Sequence, residues 1–407
     1  MAMSFRPGRE AAALAPREFH LPSFDNEVLS FMKAREVPGG ALAVVKDGRL
    51  VYAKGYGYAD REAEIPATPE TLFRIASISK PVTGVAVMKL VEQGKLGLED
   101  KAFEYIDLDP VLEFGNKPDA RLGSVTIRQL LQHTGGWDRN ASFDPMFRSD
   151  RIAEMVGVKR PADAEAVIRY MLGKTLDFDP GQKYAYSNFG YCVLGRIIEK
   201  VTGQSYAAFV KEGVLKPIGI KTMRIGRSLK SEKAENEANY YMPEDGHARS
   251  VFPGDPTSVP WPYGGFHLEA MDAHGGWLAS AVDLARFAAA LDRREKSGLL
   301  NAASHRELYR PPSAPVSRID GRLKPYYYGL GWLVRPTRGG KANYWHGGSL
   351  PGTNTLLVRR WDGLSWAVLF NQRNRDKKAP DGAIDSALHR AANAVKEWPD
   401  VDLFRSK

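Results

Sequence analysis

Strand-like alternation is confined to the two ends of this 407-residue chain. Residues 41–46 and 50–55 alternate around Asp47-Gly48, a dipeptide suited to a two-residue hairpin turn. Comparable patterns return only near 330–335, 353–359 and 365–370. Between them, over 85–310, helix and loop patterns prevail. A helix is predicted over 25–36, with Phe24, Val28, Phe31 and Met32 on one face, and a closing helix over 382–397. The first and last parts then build one antiparallel sheet flanked by terminal helices, an α+β class. The expected boundaries are 20–84 and 311–400 for a sheet lobe and 85–310 for a mainly helical lobe. Within that insertion a helix over 78–93 should stop at Gly94, and Ser280 with Asp283 marks another helix start. Segments 228–262 and 310–326 read as long surface loops.

Composition removes several function classes. A hydrophobic content of 43% excludes general disorder. No apolar run is long enough for a transmembrane helix. The single cysteine, Cys192, cannot form an internal disulfide and reads as a buried structural thiol. The opening stretch, MAMSFRPGREAAALAPREF, has charges where a signal peptide needs an unbroken apolar core. Localisation is open between cytoplasm and periplasm. A net charge of +9 invites a nucleic-acid reading, but the densest basic cluster (Arg373, Arg375, Lys377, Lys378) is short and lacks interleaved aromatics. The eight histidines show no metal-ligand spacing, and Gly55-Tyr56-Gly57 is followed by Asp60, not glycine, so neither a metal nor a dinucleotide is expected.

Three short stretches carry chemistry. In TLFRIASISKPVTG, Ser77 and Lys80 stand one turn apart at a helix start. A serine hydroxyl needs a neighbour to take its proton, and a lysine can do so if burial lowers its pKa. Ser30-Phe31-Met32-Lys33 repeats the spacing by accident. The second stretch is Tyr186-Ser187-Asn188, on a loop between the Asp179-Pro180-Gly181 turn and a helix. The third is His346-Gly347-Gly348-Ser349, where glycines allow a strand backbone to approach a ligand. A Ser349–His346 catalytic pairing is excluded by strand geometry and by the lack of a nucleophile-elbow glycine.

Taken in order, Ser77-x-x-Lys80, Tyr186-x-Asn188 and His346-Gly347-Gly348 resemble the serine β-lactamase and penicillin-binding-protein superfamily, nearest its class C branch and the family VIII carboxylesterases. Family-like flanks extend over 37–60, 125–136 (VTIRQLLQHTGG), 273–287 (AHGGWLASAVDLARF) and 328–334. The resemblance implies a sheet domain and a helical domain with the site in the cleft between them. It implies Ser77 as the acylated nucleophile, Lys80 and Tyr186 sharing the proton transfers, and Asn188 orienting Lys80 or holding substrate. The backbone N–H groups of Ser77 and Ser349 would form the oxyanion hole, each donor contributing about 3–4 kcal/mol. His346, Gly347, Gly348, Ser349 and the tryptophans Trp137, Trp277 and Trp345 are candidate substrate contacts. Plain core packing is the alternative for Tyr186, His346 and the tryptophans. Asn371 and Arg373 read as solvated loop. No cofactor is implied. The implied activity is a carboxylesterase on small or medium acyl esters. A D-amino-acid peptidase, amidase or β-lactamase is the first alternative, a catalytically silent penicillin-binding module the second. Oligomeric state and physiological substrate are left open by the sequence.

Overall fold

The Asp47-Gly48 turn joins β1 (Gly39–Lys46) to β2 (Arg49–Asp60), and both turn residues adopt positive φ, 51° and 76°. That is the backbone a two-residue hairpin demands. The computed structural model describes residues 20–112, 117–243, 246–254, 257–292, 298–313, 318–319, 322–323, 325–374 and 380–405. The first 19 residues, part of the 310–326 segment, and Arg375, Lys377 and Lys378 of the basic cluster lie outside them.

β3 (Ile65–Pro66) follows the hairpin. The chain returns to the same sheet as β4 (Tyr327–Tyr328), β5 (Leu333–Pro336), β6 (Ala342–Leu350), β7 (Thr353–Arg359) and β8 (Leu364–Phe370). The eight strands run in the order β4-β5-β6-β7-β8-β1-β2-β3. β1 and β8 pair antiparallel from Gly40↔Phe370 to Lys46↔Leu364, so the two ends of the chain close the sheet on each other. β6 extends the strands expected from the alternation; its Gly347-Gly348 pair hides the period-2 pattern.

Five helices matter for the site: α1 (Pro22–Arg35), α2 (Ser79–Glu92), α3 (Asn188–Thr202), α4 (Ala281–Asp292) and α5 (Ala383–Ala394). α1 and α5 cover one face of the sheet, where Phe24, Val28, Phe31 and Leu388 meet Val44, Trp366, Val368 and Phe370. α4 covers the opposite face against β1, β7 and β8, although it belongs to the 85–310 stretch. Its start is fixed reciprocally: the Asp283 N–H donates to Ser280 Oγ at 3.0 Å and the Ser280 N–H donates to Asp283 Oδ2 at 3.1 Å. Strands β7 and β8 are therefore buried on both faces along their whole length.

The 228–262 segment keeps to the surface over most of its described length, but residues 237–240 turn inward. The Leu72 N–H donates to Asn236 O, the Ala238 N–H donates to Leu72 O, and Ala238 and Tyr240 are buried. Arg74 reaches Glu237 at 3.7 Å, and both side chains are 1% exposed. Arg74 also donates to Pro262 O and Arg227 O. The segment is thus clamped to the strand that leads into Ser77. Glu237 and Asn239 serve these internal contacts, while Lys230, Glu232, Glu235, His247 and Arg249 stay exposed.

Candidate active site

Ser77 sits on a 3₁₀ turn, Ala76–Ile78, that runs directly into α2. Ala76 has φ 47°, a left-handed conformation costly for a residue with a Cβ. Several bonds hold it there. Ser79 Oγ donates to Ala76 O at 2.7 Å, the Ile75 N–H donates to Trp277 O at 2.9 Å, and Thr355 Oγ1 donates to Ile75 O at 3.1 Å. The turn lifts Ser77 into partial exposure while its neighbours are buried. Ser30 and Lys33, the same spacing on α1, are both exposed and point into solvent.

Lys80 is fully buried, yet its Nζ has three polar neighbours. They are Asn188 Oδ1 at 2.7 Å, His274 O at 3.0 Å and Ser77 Oγ at 3.3 Å. As an ammonium, Lys80 donates to all three. As an amine it keeps two N–H groups, which the two obligate acceptors at Asn188 and His274 occupy, and its lone pair then faces the Ser77 hydroxyl. Burial pushes the Lys80 pKa well below 10.5, favouring this amine form; Asp144 opposes the shift and Arg139 adds to it.

Tyr186 lies before α3, on the loop that Ser187 caps by accepting from the Gly190 N–H at 3.3 Å. Asn188 is the first residue of α3 itself, one step further into the helix than the loop reading placed it. The Tyr186 ring centroid is 4.7 Å from Lys80 Nζ. Burial raises the phenol above its ordinary range, countered by a hydrogen bond with Ser77. Behind it stands His133, whose ring centroid is 4.3 Å from Tyr186 and 4.4 Å from Tyr328. His133 Nδ1 accepts from the Ser187 N–H at 3.2 Å, which ties the tyrosine loop to the 125–136 segment.

β6 closes the other side. His346 Nδ1 faces Gly347 O at 2.7 Å, so that nitrogen carries the proton and Nε2 accepts from the Tyr328 hydroxyl at 2.8 Å. Burial, with Lys80 nearby, holds the imidazole down at about 3, leaving it neutral at physiological pH. A Cβ on Gly348 would stand 2.2 Å from Ile75 O and from Thr355 Oγ1, so only glycine lets β6 lie against the nucleophile turn. Gly347 and Ser349 are exposed on the open side of that strand.

Ser77, Lys80, Tyr186, Asn188 and the His346–Ser349 strand therefore converge from three separate segments. The tryptophans do not join them. Trp137 is 5% exposed and packs on Phe103 and Phe189. Trp277 is fully buried, its indole N–H donating to the Tyr206 hydroxyl at 3.1 Å. Trp345 faces away from His346, because neighbours on a strand point oppositely, and it packs beside Tyr326 and Arg335. All three serve the core or the far face of the sheet. Asn371 is also buried rather than solvated: its Oδ1 accepts from the Gly39 N–H at 2.8 Å and its Nδ2 donates to Tyr58 O at 3.0 Å. Arg373 donates to Ser349 Oγ at 3.4 Å. Asp144, His133, His274 and Tyr328 were not singled out individually from the sequence. His133, His274 and Tyr328 lie in stretches marked only as family-like, and no local pattern flags Asp144.

The sequence model of the beta-lactamase family matches residues 24–391. The chain belongs to the beta-lactamase family. Within it, the chain is 27% identical over 354 residues to penicillin-binding protein 4* of Bacillus subtilis (strain 168), covering 86% of this chain and 71% of that protein. The octameric penicillin-binding protein homologue from Pyrococcus abyssi superposes with a TM-score of 0.70 at 28% identity, over 94% of this chain and 79% of the other. EstCE1, a hydrolase with promiscuous acyltransferase activity, gives a TM-score of 0.68 at 22% identity, over 91% of this chain and 98% of its own, a likeness of fold. The family assignment makes the protein a serine hydrolase of the β-lactamase and penicillin-binding-protein type, with the matching mixed α/antiparallel-sheet fold. Among the described residues, no helix is long and apolar enough to cross a membrane, and no group of three or more His, Cys, Asp or Glu could hold a metal ion.

Proposed function

We propose that this protein hydrolyses small or medium neutral acyl esters through an acyl-enzyme on Ser77. The site lies in the cleft between the sheet lobe (20–84, 311–400) and the mainly helical lobe (85–310). The observation that carries the reading is Lys80 Nζ, enclosed and 3.3 Å from Ser77 Oγ with its other two polar neighbours both acceptors. Lys80 takes the Ser77 proton as Oγ attacks the acyl carbon. Tyr186 gives a proton to the departing alkoxide. Burial disfavours both lysinium and tyrosinate and so favours amine and phenol, which suits these two roles in this order. Water then attacks the acyl carbon, the same pair handles its proton, and Ser77 is released. The N–H groups of Ser77 and Ser349 are the proposed oxyanion donors.

The ester preference rests on His346. A lysine at this position would present a full charge to an anionic substrate, whereas the neutral imidazole, already bonded to Tyr328, does not. An alkoxide or phenoxide also leaves more easily than an amide nitrogen. Wild type and Ser77→Ala, each assayed with p-nitrophenyl butyrate, nitrocefin and a D-alanine p-nitroanilide, test the reading. The expected kcat/KM for the ester exceeds that for nitrocefin by about tenfold or more, or about 1.4 kcal/mol in the barrier. Ser77→Ala should lose all turnover. Equal rates on the anilide or nitrocefin would make the protein an amidase or β-lactamase. Acylation by nitrocefin without any turnover would make it a binding module.

A further inference from the structure

We infer that Asp144 is a positioning residue for acylation, fixing the Asn188 amide so that its oxygen, not its nitrogen, faces Lys80. The inference rests on the proposed role of Lys80 as acylation base. Asn188 stands between the two groups: its Nδ2 donates to Asp144 Oδ2 at 2.6 Å, and its Oδ1 accepts from Lys80 Nζ at 2.7 Å. An amide has two unlike ends, and nothing intrinsic to it chooses which one meets the lysine. A carboxylate can only accept, so it draws the NH₂ end and leaves the oxygen for Lys80. The reverse orientation would set the amide N–H groups against the lysine's own and place two oxygens in contact at Asp144. It would also release the lone pair of the amine from Ser77.

Asp144 is itself held for this task. It caps the Pro145–Phe147 turn, its Oδ1 accepting from the Met146 N–H at 3.2 Å. Both of these side-chain bonds, from Met146 and Asn188, come from donors, which fits the ionised form. Burial raises the Asp144 carboxyl, and Asn188, Arg139, Met146 and Lys80 all act against that rise. The charged groups facing Lys80 are Asp144 and Arg139, both from the 138–144 loop. The titratable groups around it are His133, His274 and His346, together with the Tyr186 and Tyr191 rings. Asp144 is the one group among these whose charge favours lysinium, so its loss also lowers the pH at which the amine appears.

The test is the rate of Ser77 labelling by a fluorophosphonate as a function of pH, on the full chain. In that reaction the Oγ–P bond forms, the P–F bond breaks, fluoride departs and the hydroxyl proton passes to Lys80. The variants are Asp144→Asn, Asn188→Ala, their double, and Lys80→Ala, with thermal unfolding followed for each. Asp144→Asn keeps the shape but offers both a donor and an acceptor, so it no longer dictates the Asn188 orientation. Its plateau rate is expected to fall by about tenfold or more, and its midpoint to move to lower pH. In the Asn188→Ala background the same substitution should cost no further plateau rate. A plateau unchanged in Asp144→Asn, or losses that multiply in the double variant, overturns the inference. If Asn188→Ala fails to fold, the Asp144→Asn plateau and midpoint decide alone. Lys80→Ala separates the two claims: if it keeps the wild-type profile, the base assignment fails. If it abolishes labelling while Asp144→Asn behaves as wild type, only the role of Asp144 fails.

Discussion

Lys80 and Tyr186 illustrate how enclosure sets protonation one residue at a time. Burial acts on both in the direction of the uncharged form, lowering the lysine and raising the tyrosine. The sign of the pH dependence follows. The amine fraction grows as pH rises, so kcat/KM for p-nitrophenyl butyrate should rise with pH and level off above a midpoint well below the ordinary lysine value of 10.5. His346, held at about 3, contributes no step near neutrality. A limb that vanishes in His346→Asn would assign the proton to the histidine instead. Tyr186→Phe removes one hydroxyl and almost no volume, and should lower kcat by about 10²–10⁴-fold with the thermal midpoint nearly unchanged. A Tyr186→Phe rate within a few-fold of wild type would reduce Tyr186 to a packing residue beside His133.

At the scale of elements, the site depends on how closely β6 approaches the turn before α2. Gly348 is the contact point, with Ile75 O and Thr355 Oγ1 both 2.2 Å from where a Cβ would sit. Gly348→Ala must move β6 or the turn. It should destabilise by about 1–3 kcal/mol and slow fluorophosphonate labelling of Ser77. Gly347→Ala is the control, since its added methyl meets only Thr355 O at 3.7 Å. It should leave stability close to wild type by thermal unfolding. Equal stability in the two alanine variants would mean that the approach is looser than these distances indicate. The motif glycines were legible in the sequence as places of close approach, but which of the two is obligatory was not. That depends on which face of β6 meets Ile75, a contact between segments 273 residues apart.

For the whole molecule, the question is what fastens the 228–262 segment to the strand before Ser77. The buried Arg74–Glu237 pair does so, backed by the Tyr240 hydroxyl donating to Glu237 at 2.8 Å. Glu237→Gln leaves the Arg74 guanidinium buried without its counter-charge, and should cost about 3–5 kcal/mol in urea unfolding. A loss under about 1 kcal/mol would show that the carbonyl bonds to Arg74 suffice. The amino-acid sequence alone determined the α+β class, the closing of the sheet by both chain ends, the hairpin at Asp47-Gly48 and the terminal helices. It also singled out Ser77, Lys80, Tyr186, Asn188 and the His346 strand. All of these are written in local spacing, turn chemistry or ordered motifs. Only the tertiary structure decided that Trp137, Trp277 and Trp345 lie away from the cleft, that Asn371 and Tyr240 are interior, and that Asp144 stands behind Asn188. Burial and hydrogen-bond partnership are properties of contacts between distant segments, and a side chain's type does not reveal which of its possible partners will enclose it.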